Sequence, residues 1–248
     1  LITKDLYKVK ILIKTQGLLL IKQSFFYFSL KKQKQVKIYV VSGLGADFKV
    51  LERLQFPKEH EVVFIDWLIP ENDESFSSYV ARMAEKIDDS ESFYLLGYSF
   101  GGIMVQEINM LKPAEKVVIL GSIKSDKEKS RLIKMGEITK IPKYIPVNFF
   151  NLKTLETYSV FRKFFDPKNP KVNQYFRVTD PYYLKWSIQR ISEWKFEQKN
   201  NIIQIMGDRD IVFPLKNSKP DYIIKGGTHL FPATKHKEVS LLLNKIFI

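Results

Sequence analysis

The 248-residue chain contains no cysteine. Disulfides and thiolate metal sites are therefore excluded, and the expected setting is a reducing compartment, the cytoplasm. Histidine is scarce, with three residues. A reaction that needs an imidazole has little to choose from. A continuous apolar run long enough for a membrane is also missing, because the apolar stretch 17–30 is interrupted by Lys22, Gln23 and Ser24. A span needs about 20 mostly apolar residues. No small-residue cleavage site follows that stretch, so a secretory signal is not expected. Ser/Gly-rich linkers, low-complexity tracts and internal repeats are absent too, which favours one large domain with an insertion over two small ones.

Hydrophobic residues make up 45% of the chain, enough for a sizeable core. The net charge of +13 suggests nucleic acid until it is divided along the sequence. Residues 1–37 carry nine lysines and one aspartate, a net of +8, and residues 122–198 carry another +8. The remainder is slightly acidic, at −3. A phosphate-binding protein concentrates positive charge on its working face, so no nucleic-acid partner is expected. Within residues 1–36, Val9, Ile11 and Ile13 alternate with Lys10, Leu12 and Lys14 in the manner of an edge strand. An opening β-hairpin or a basic N-terminal extension is expected there rather than a membrane anchor.

From Lys37 onward, apolar strand-like runs at 37–42, 61–66, 93–96, 116–120, 201–206 and 221–225 alternate with helical patterns. That alternation predicts an α/β fold, a mostly parallel sheet with helices on both faces. Phe48, Leu51 and Leu54 form one helical stripe, and Phe76, Val80, Met83, Ala84 and Ile87 form another, with Asp73 or Ser75 as its N-cap. Val239, Leu242, Leu243 and Ile246 supply the apolar face of a closing helix. The alternation breaks at about 122–198, a stretch rich in aromatics and proline. An inserted helical cap over the carboxyl ends of the strands is predicted there. Its aromatics, among them Tyr144, Phe149, Phe150, Tyr158, Phe161, Phe164, Phe165, Tyr183, Trp186 and Trp194, are read mainly as the core of that cap.

The chemistry is concentrated in Gly97-Tyr98-Ser99-Phe100-Gly101, a G-x-S-x-G between the apolar run 93–96 and an amphipathic segment that ends at Pro113. A serine hydroxyl becomes a useful nucleophile when a base stands beside it and a sharp strand-to-helix turn projects its oxygen away from the backbone. Two further groups follow strands: Asp210 in Gly207-Asp208-Arg209-Asp210, and His229 in Gly226-Gly227-Thr228-His229. Parallel strands end on one edge, so the three groups are expected to converge. Asp208, two residues from Asp210, remains an alternative carboxylate. His60, set among charged residues before a strand, is read as solvated, and His236 lies among lysines at the start of the last helix. Asp66-Trp67 is read as a packed tryptophan beside a capping aspartate.

These motifs and their serine–acid–histidine order resemble the α/β-hydrolase superfamily over about 37–248. The similarity is strongest to small capped esterase-like hydrolases with a loop like Val41-Ser42-Gly43-Leu44-Gly45-Ala46-Asp47. The resemblance implies Ser99 as nucleophile, His229 as base and then acid, and Asp210 as the carboxylate that orients it. It also implies an oxyanion hole from the backbone N–H groups of Leu44 and Phe100. Many relatives carry histidine where this chain has Ser42, which changes the support of that loop. The implied activity is hydrolysis of a small-molecule carboxylic ester or related acyl substrate, with no cofactor and no metal. A thioesterase, a carbon–carbon bond hydrolase or a non-catalytic ligand-binding protein on the same fold are the alternatives.

Overall fold

A computed structural model of the chain describes residues 35–150, 172–196 and 202–248. The chain divides into Leu1–Gln35 and Val36–Ile248. The strand expected at 9–14 lies outside the described residues, as do 151–171 and 197–201, including Tyr158, Phe161, Phe164 and Phe165.

The second unit is built on six parallel strands: β1 (Lys37–Val41), β2 (Glu61–Ile65), β3 (Phe93–Tyr98), β4 (Lys116–Leu120), β5 (Ile202–Gly207) and β6 (Tyr222–Ile224), in the order β2-β1-β3-β4-β5-β6. The strands start or stop within a few residues of the apolar runs that predict them. Their side chains alternate between two cores. Tyr39, Val41, Leu95, Val117 and Ile119 face one side, and Ile38, Val40, Leu96, Val118 and Leu120 face the other. Both faces are covered, so the strands read as unbroken apolar runs rather than as half-polar ones.

Helices α1 (Phe76–Ala84) and α2 (Phe100–Leu111) pack on the first face. Ser75 caps α1, its side chain accepting from the Ser78 N–H, while Glu74 accepts from the Glu71 N–H and pairs with Arg82. Between β4 and β5 lie α3 (Arg131–Thr139), α4 (Ile141–Tyr144) and α5 (Pro181–Glu193). After β6 come α6 (Phe231–Thr234) and α7 (His236–Ile246), which cover the second face with Val239, Leu243 and Ile246. Among the described residues no helix is long and apolar enough to cross a membrane.

Three expectations need correction. The stripe of Phe48, Leu51 and Leu54 forms no α-helix: Phe48–Val50 is a 3-10 turn, followed by a turn in which the Leu54 N–H donates to Leu51 O. An i, i+3 spacing suits successive tight turns as well as a helix, and Pro57 leaves no room to continue. His60 is buried rather than solvated, with Nδ1 accepting from the Val36 N–H and Nε2 2.6 Å from Phe247 O. Tyr144 and Phe149 lie on the surface rather than in a cap core, whereas Phe150, Tyr183, Trp186 and Trp194 are buried.

The strand order reverses direction between β1 and β3, a switch point that leaves a crevice at their carboxyl ends. The backbones crowd there. A Cβ at Gly97 would sit 2.2 Å from Gly101 O, and one at Gly101 would sit 2.3 Å from the carbonyl oxygens of Val41 and Ser42. Only hydrogen fits at both places, and α2 can therefore start directly off β3 and against β1. Gly97→Ala is expected to cost about 3 kcal/mol or more, measured as a lowered urea midpoint at unchanged m-value. A variant as stable as the wild type would show that the junction is not tightly packed.

Candidate active site

Ser99 occupies the turn between β3 and α2 with φ 54° and ψ −118°. Left-handed backbone at a non-glycine residue costs about 1–3 kcal/mol and persists only where the surroundings impose it. Here they do. The Ser99 N–H donates to Leu120 O of β4 at 2.9 Å, and Ser99 O accepts from the Gly102 N–H. The side chain makes no capping bond to its own helix. It points instead to His229, whose Nε2 lies 2.9 Å from Ser99 Oγ.

The other ring nitrogen of His229, Nδ1, lies 2.7 Å from Asp210 Oδ2. Asp210 Oδ1 accepts from the backbone N–H groups of Val212 and Phe213 at 2.8 and 3.0 Å. A carboxylate that accepts on both oxygens leaves the Nδ1 proton on the imidazole, so that Nε2 is free to accept a hydrogen bond from the Ser99 hydroxyl. Ser99, His229 and Asp210 are all buried, and Asp208 is exposed. The loops that carry Asp210 and His229 are stitched together, with the Arg209 N–H donating to Gly227 O.

The His229 ring lies between Tyr98 and Phe213, with ring centroids 5.5 and 5.8 Å away. The Tyr98 hydroxyl donates to His229 O at 3.0 Å. Burial pushes the Tyr98 phenol far above its ordinary value, and the Asp210 charge adds to the effect, so it remains a neutral donor.

The loop after β1 faces Ser99, with Gly43 packed against Tyr98 and Ser99. Ser42 supports this loop by donating to Ala46 O at 2.6 Å and accepting from Trp67 Nε1 at 3.1 Å. The same indole N–H is shared with Gly43 O, and the Trp67 ring stacks on Phe100 at 5.0 Å and 9°. One tryptophan thus holds the β1 loop and the first residue of α2 together. Sequence reading treats Trp67 as packing alone and misses these bonds, and Asp66 beside it is exposed. No described residue accepts a hydrogen bond from the N–H groups of Leu44 or Phe100.

A third segment crosses this loop. The N–H groups of Arg177 and Val178 both donate to Gly45 O at 2.9 Å, Ala46 and Phe176 form an antiparallel bridge, and Arg177 pairs with Asp47 at 3.3 Å. Gly43, Leu44, Ala46, Val50, Tyr98, Ser99, Tyr175, Phe176 and Leu230 line a partly open space of about 10 Å³ beside the serine. That is room for roughly one water. Larger clefts lie elsewhere, one of about 360 Å³ among the helices between β4 and β5 and one of about 330 Å³ between those helices and Asp73, Glu74 and Ser75 at the start of α1, and neither includes Ser99 or His229. Among the described residues no group of three or more His, Asp or Glu is arranged to hold a metal ion.

No protein-family model matches the chain, and no curated protein matches its sequence. Solved structures do match its shape. A lipase-esterase related protein from Clostridium acetobutylicum is 17% identical with a TM-score of 0.60, over 88% of this chain and 96% of that one. A thermophilic esterase from Thermogutta terrifontis is 11% identical with a TM-score of 0.59, over 85% and 89%. An alpha/beta hydrolase fold protein from Burkholderia ambifaria is 15% identical with a TM-score of 0.63, over 86% and 91%. With six parallel strands ordered around a β1–β3 switch point and neighbours of this kind along almost its whole length, the chain has the α/β-hydrolase fold.

Proposed function

We propose that the protein is a serine hydrolase that cleaves a small carboxylic ester through an acyl-enzyme. One observation carries this reading: Ser99 Oγ, the His229 ring and the Asp210 carboxylate form a continuous hydrogen-bonded line, 2.9 and 2.7 Å long in its two links. A structural serine in a glycine turn has no need of a buried imidazole and a buried carboxylate behind it.

In the proposed reaction Ser99 Oγ attacks the substrate carbonyl carbon while its proton passes to His229 Nε2. Asp210 stabilises the imidazolium that results. Charge then grows on the carbonyl oxygen, where the N–H groups of Leu44 and Phe100 are the donors, the second aided by the positive end of α2. Each such donor lowers the barrier by about 3–4 kcal/mol. The tetrahedral adduct collapses, the carbon–oxygen bond to the leaving alcohol breaks, and His229 returns the proton to that alcohol. Water attacks the acyl-enzyme with the same base, releasing the acid and restoring Ser99.

The segment from Tyr175 to Val178 acts in this reading as part of a cap that closes the acyl side of the site. A space of only about 10 Å³ beside Ser99 supports a preference for short acyl groups, with the segment shifting to admit them. The esterase names among the structural neighbours agree with this reaction class.

Three outcomes are expected. A fluorophosphonate probe labels Ser99, and labelling disappears in Ser99→Ala and falls sharply in His229→Ala, as read by mass spectrometry of the tryptic peptide. A folded wild type that stays unlabelled would point to a ligand-binding protein. In steady-state kinetics Asp210→Asn lowers kcat by about three to four orders of magnitude, while Asp208→Asn stays within about twofold; the reverse ranking would reassign the acid. With p-nitrophenyl esters of increasing chain length, the wild type favours acetate over octanoate, and Phe176→Ala narrows that preference about tenfold. An unchanged preference would mean that Phe176 is not a wall of the acyl site.

A further inference from the structure

The proposed chemistry makes no use of the outer face of α3 and the turn into α4. Three residues of α3 turn inward: Ile133 packs on the core, Gly136 is half-buried, and Glu137 pairs with the fully buried Lys129 at 2.9 Å and with Lys195 at 3.8 Å. The outward residues are unusual for a surface helix. Leu132 is 64% exposed, Met135 60% and Ile138 80%, and beyond the helix Ile141 and the 74% exposed Tyr144 continue the series. Successive steps of three residues keep Leu132, Met135 and Ile138 within a stripe of about 120°. Scattered exposed apolar side chains need no explanation, but a run of them on one face marks an interaction surface.

The charges around the stripe indicate what it meets. Arg131, Lys134, Lys140 and Lys143 are all exposed, with Lys134 donating to Lys127 O and with Lys140 and Lys143 bordering the open cleft that Glu137 and Glu193 also line, and the only acidic residue within 131–144 is Glu137, already paired on the inner side. A second copy of this face would bring like charges together. Protein interface cores favour aromatics and arginine and are depleted in lysine, whereas this face is aliphatic and framed mainly by lysine. An amphipathic helix with exposed aliphatic side chains and a lysine/arginine rim fits the boundary between lipid headgroups and acyl chains, with a tyrosine able to sit at headgroup level.

We propose that this face docks the protein on an anionic lipid surface. Leu132, Met135, Ile138 and Ile141 enter the boundary region, and Arg131, Lys134, Lys140 and Lys143 meet lipid phosphates. Docking is peripheral and reversible, and it is independent of the triad chemistry.

The test is co-sedimentation of the full chain with vesicles of phosphatidylcholine, alone or with one-third phosphatidylglycerol. The full chain binds the anionic vesicles and leaves the neutral ones largely in solution. Leu132→Ser/Met135→Ser/Ile138→Ser lowers the partition coefficient about tenfold or more, although every lysine is retained. Lys134→Gln/Lys140→Gln/Lys143→Gln lowers it about a hundredfold, at about fivefold per cation near such a surface. All these side chains are exposed, so both variants keep the wild-type thermal melt and its hydrolysis of a water-soluble ester. In Met135→Trp, brominated acyl chains quench the added emission.

A serine variant that binds as tightly as the wild type would overturn the proposal, because attachment would then run through other lysines. So would a tryptophan at 135 that stays unquenched on bound protein. A serine variant that leaves vesicle binding intact but converts a dimer to a monomer in sedimentation velocity would assign the face to a second copy and overturn it equally.

Discussion

The whole site rests on the close approach of backbones at the β3–α2 junction. Gly101 lies against the carbonyls of Val41 and Ser42, and Gly97 lies against Gly101 O. With no Cβ at either position, the chain turns from strand to helix in a few residues and carries Ser99 into left-handed backbone at φ 54°. The strain is local and the restraint is not. β4 holds the Ser99 N–H through Leu120 O, and β1 blocks relaxation on the other side. A hydroxyl held this way stands clear of its own helix and faces the carboxyl edge of the sheet, where the loops after β5 and β6 bring Asp210 and His229.

Burial of Ser99, His229 and Asp210 is tolerable because each of the three is hydrogen-bonded. Asp210 accepts three hydrogen bonds, two of them from backbone N–H groups, and His229 is fixed at both ring nitrogens and through its carbonyl by Tyr98. In a low-dielectric setting such bonds are strong, and an unmatched partner is correspondingly expensive. Trp67 shows the same economy: its indole N–H ties Ser42 to Gly43 while its ring stacks on Phe100. The serine at position 42 is thus no gap in the loop. Its hydroxyl ties Ala46 O to the Trp67 indole.

Much of this was legible in the sequence because a parallel sheet covered on both faces writes itself as continuous apolar runs, which is why β1, β3 and β4 stand where those runs stand. The junction was legible for a different reason: glycine at both ends of G-x-S-x-G reports close backbone approach directly. Interactions that join distant segments were harder to read. His60, set among Lys58, Glu59 and Glu61, has the local look of a surface residue, yet it is buried against Phe247, near the other end of the chain. Trp67 gives no sign in its own neighbourhood that its N–H reaches back to Ser42. The stripe at Phe48, Leu51 and Leu54 misleads because a spacing of three fits 3-10 turns and helices alike. At Leu132, Met135 and Ile138, apolar periodicity gives no indication that the stripe faces outward, since burial is set by the element on the other side.

The most direct measurement is a crystal structure of the protein after reaction with a small alkyl fluorophosphonate, which imitates the tetrahedral adduct. The expected result is phosphorus bonded to Ser99 Oγ, the phosphoryl oxygen within hydrogen-bond distance of the N–H groups of Leu44 and Phe100, and His229 still bonded to Asp210. An adduct on another residue, or a phosphoryl oxygen turned away from both N–H groups, would contradict the assignment of this junction as the seat of acyl transfer.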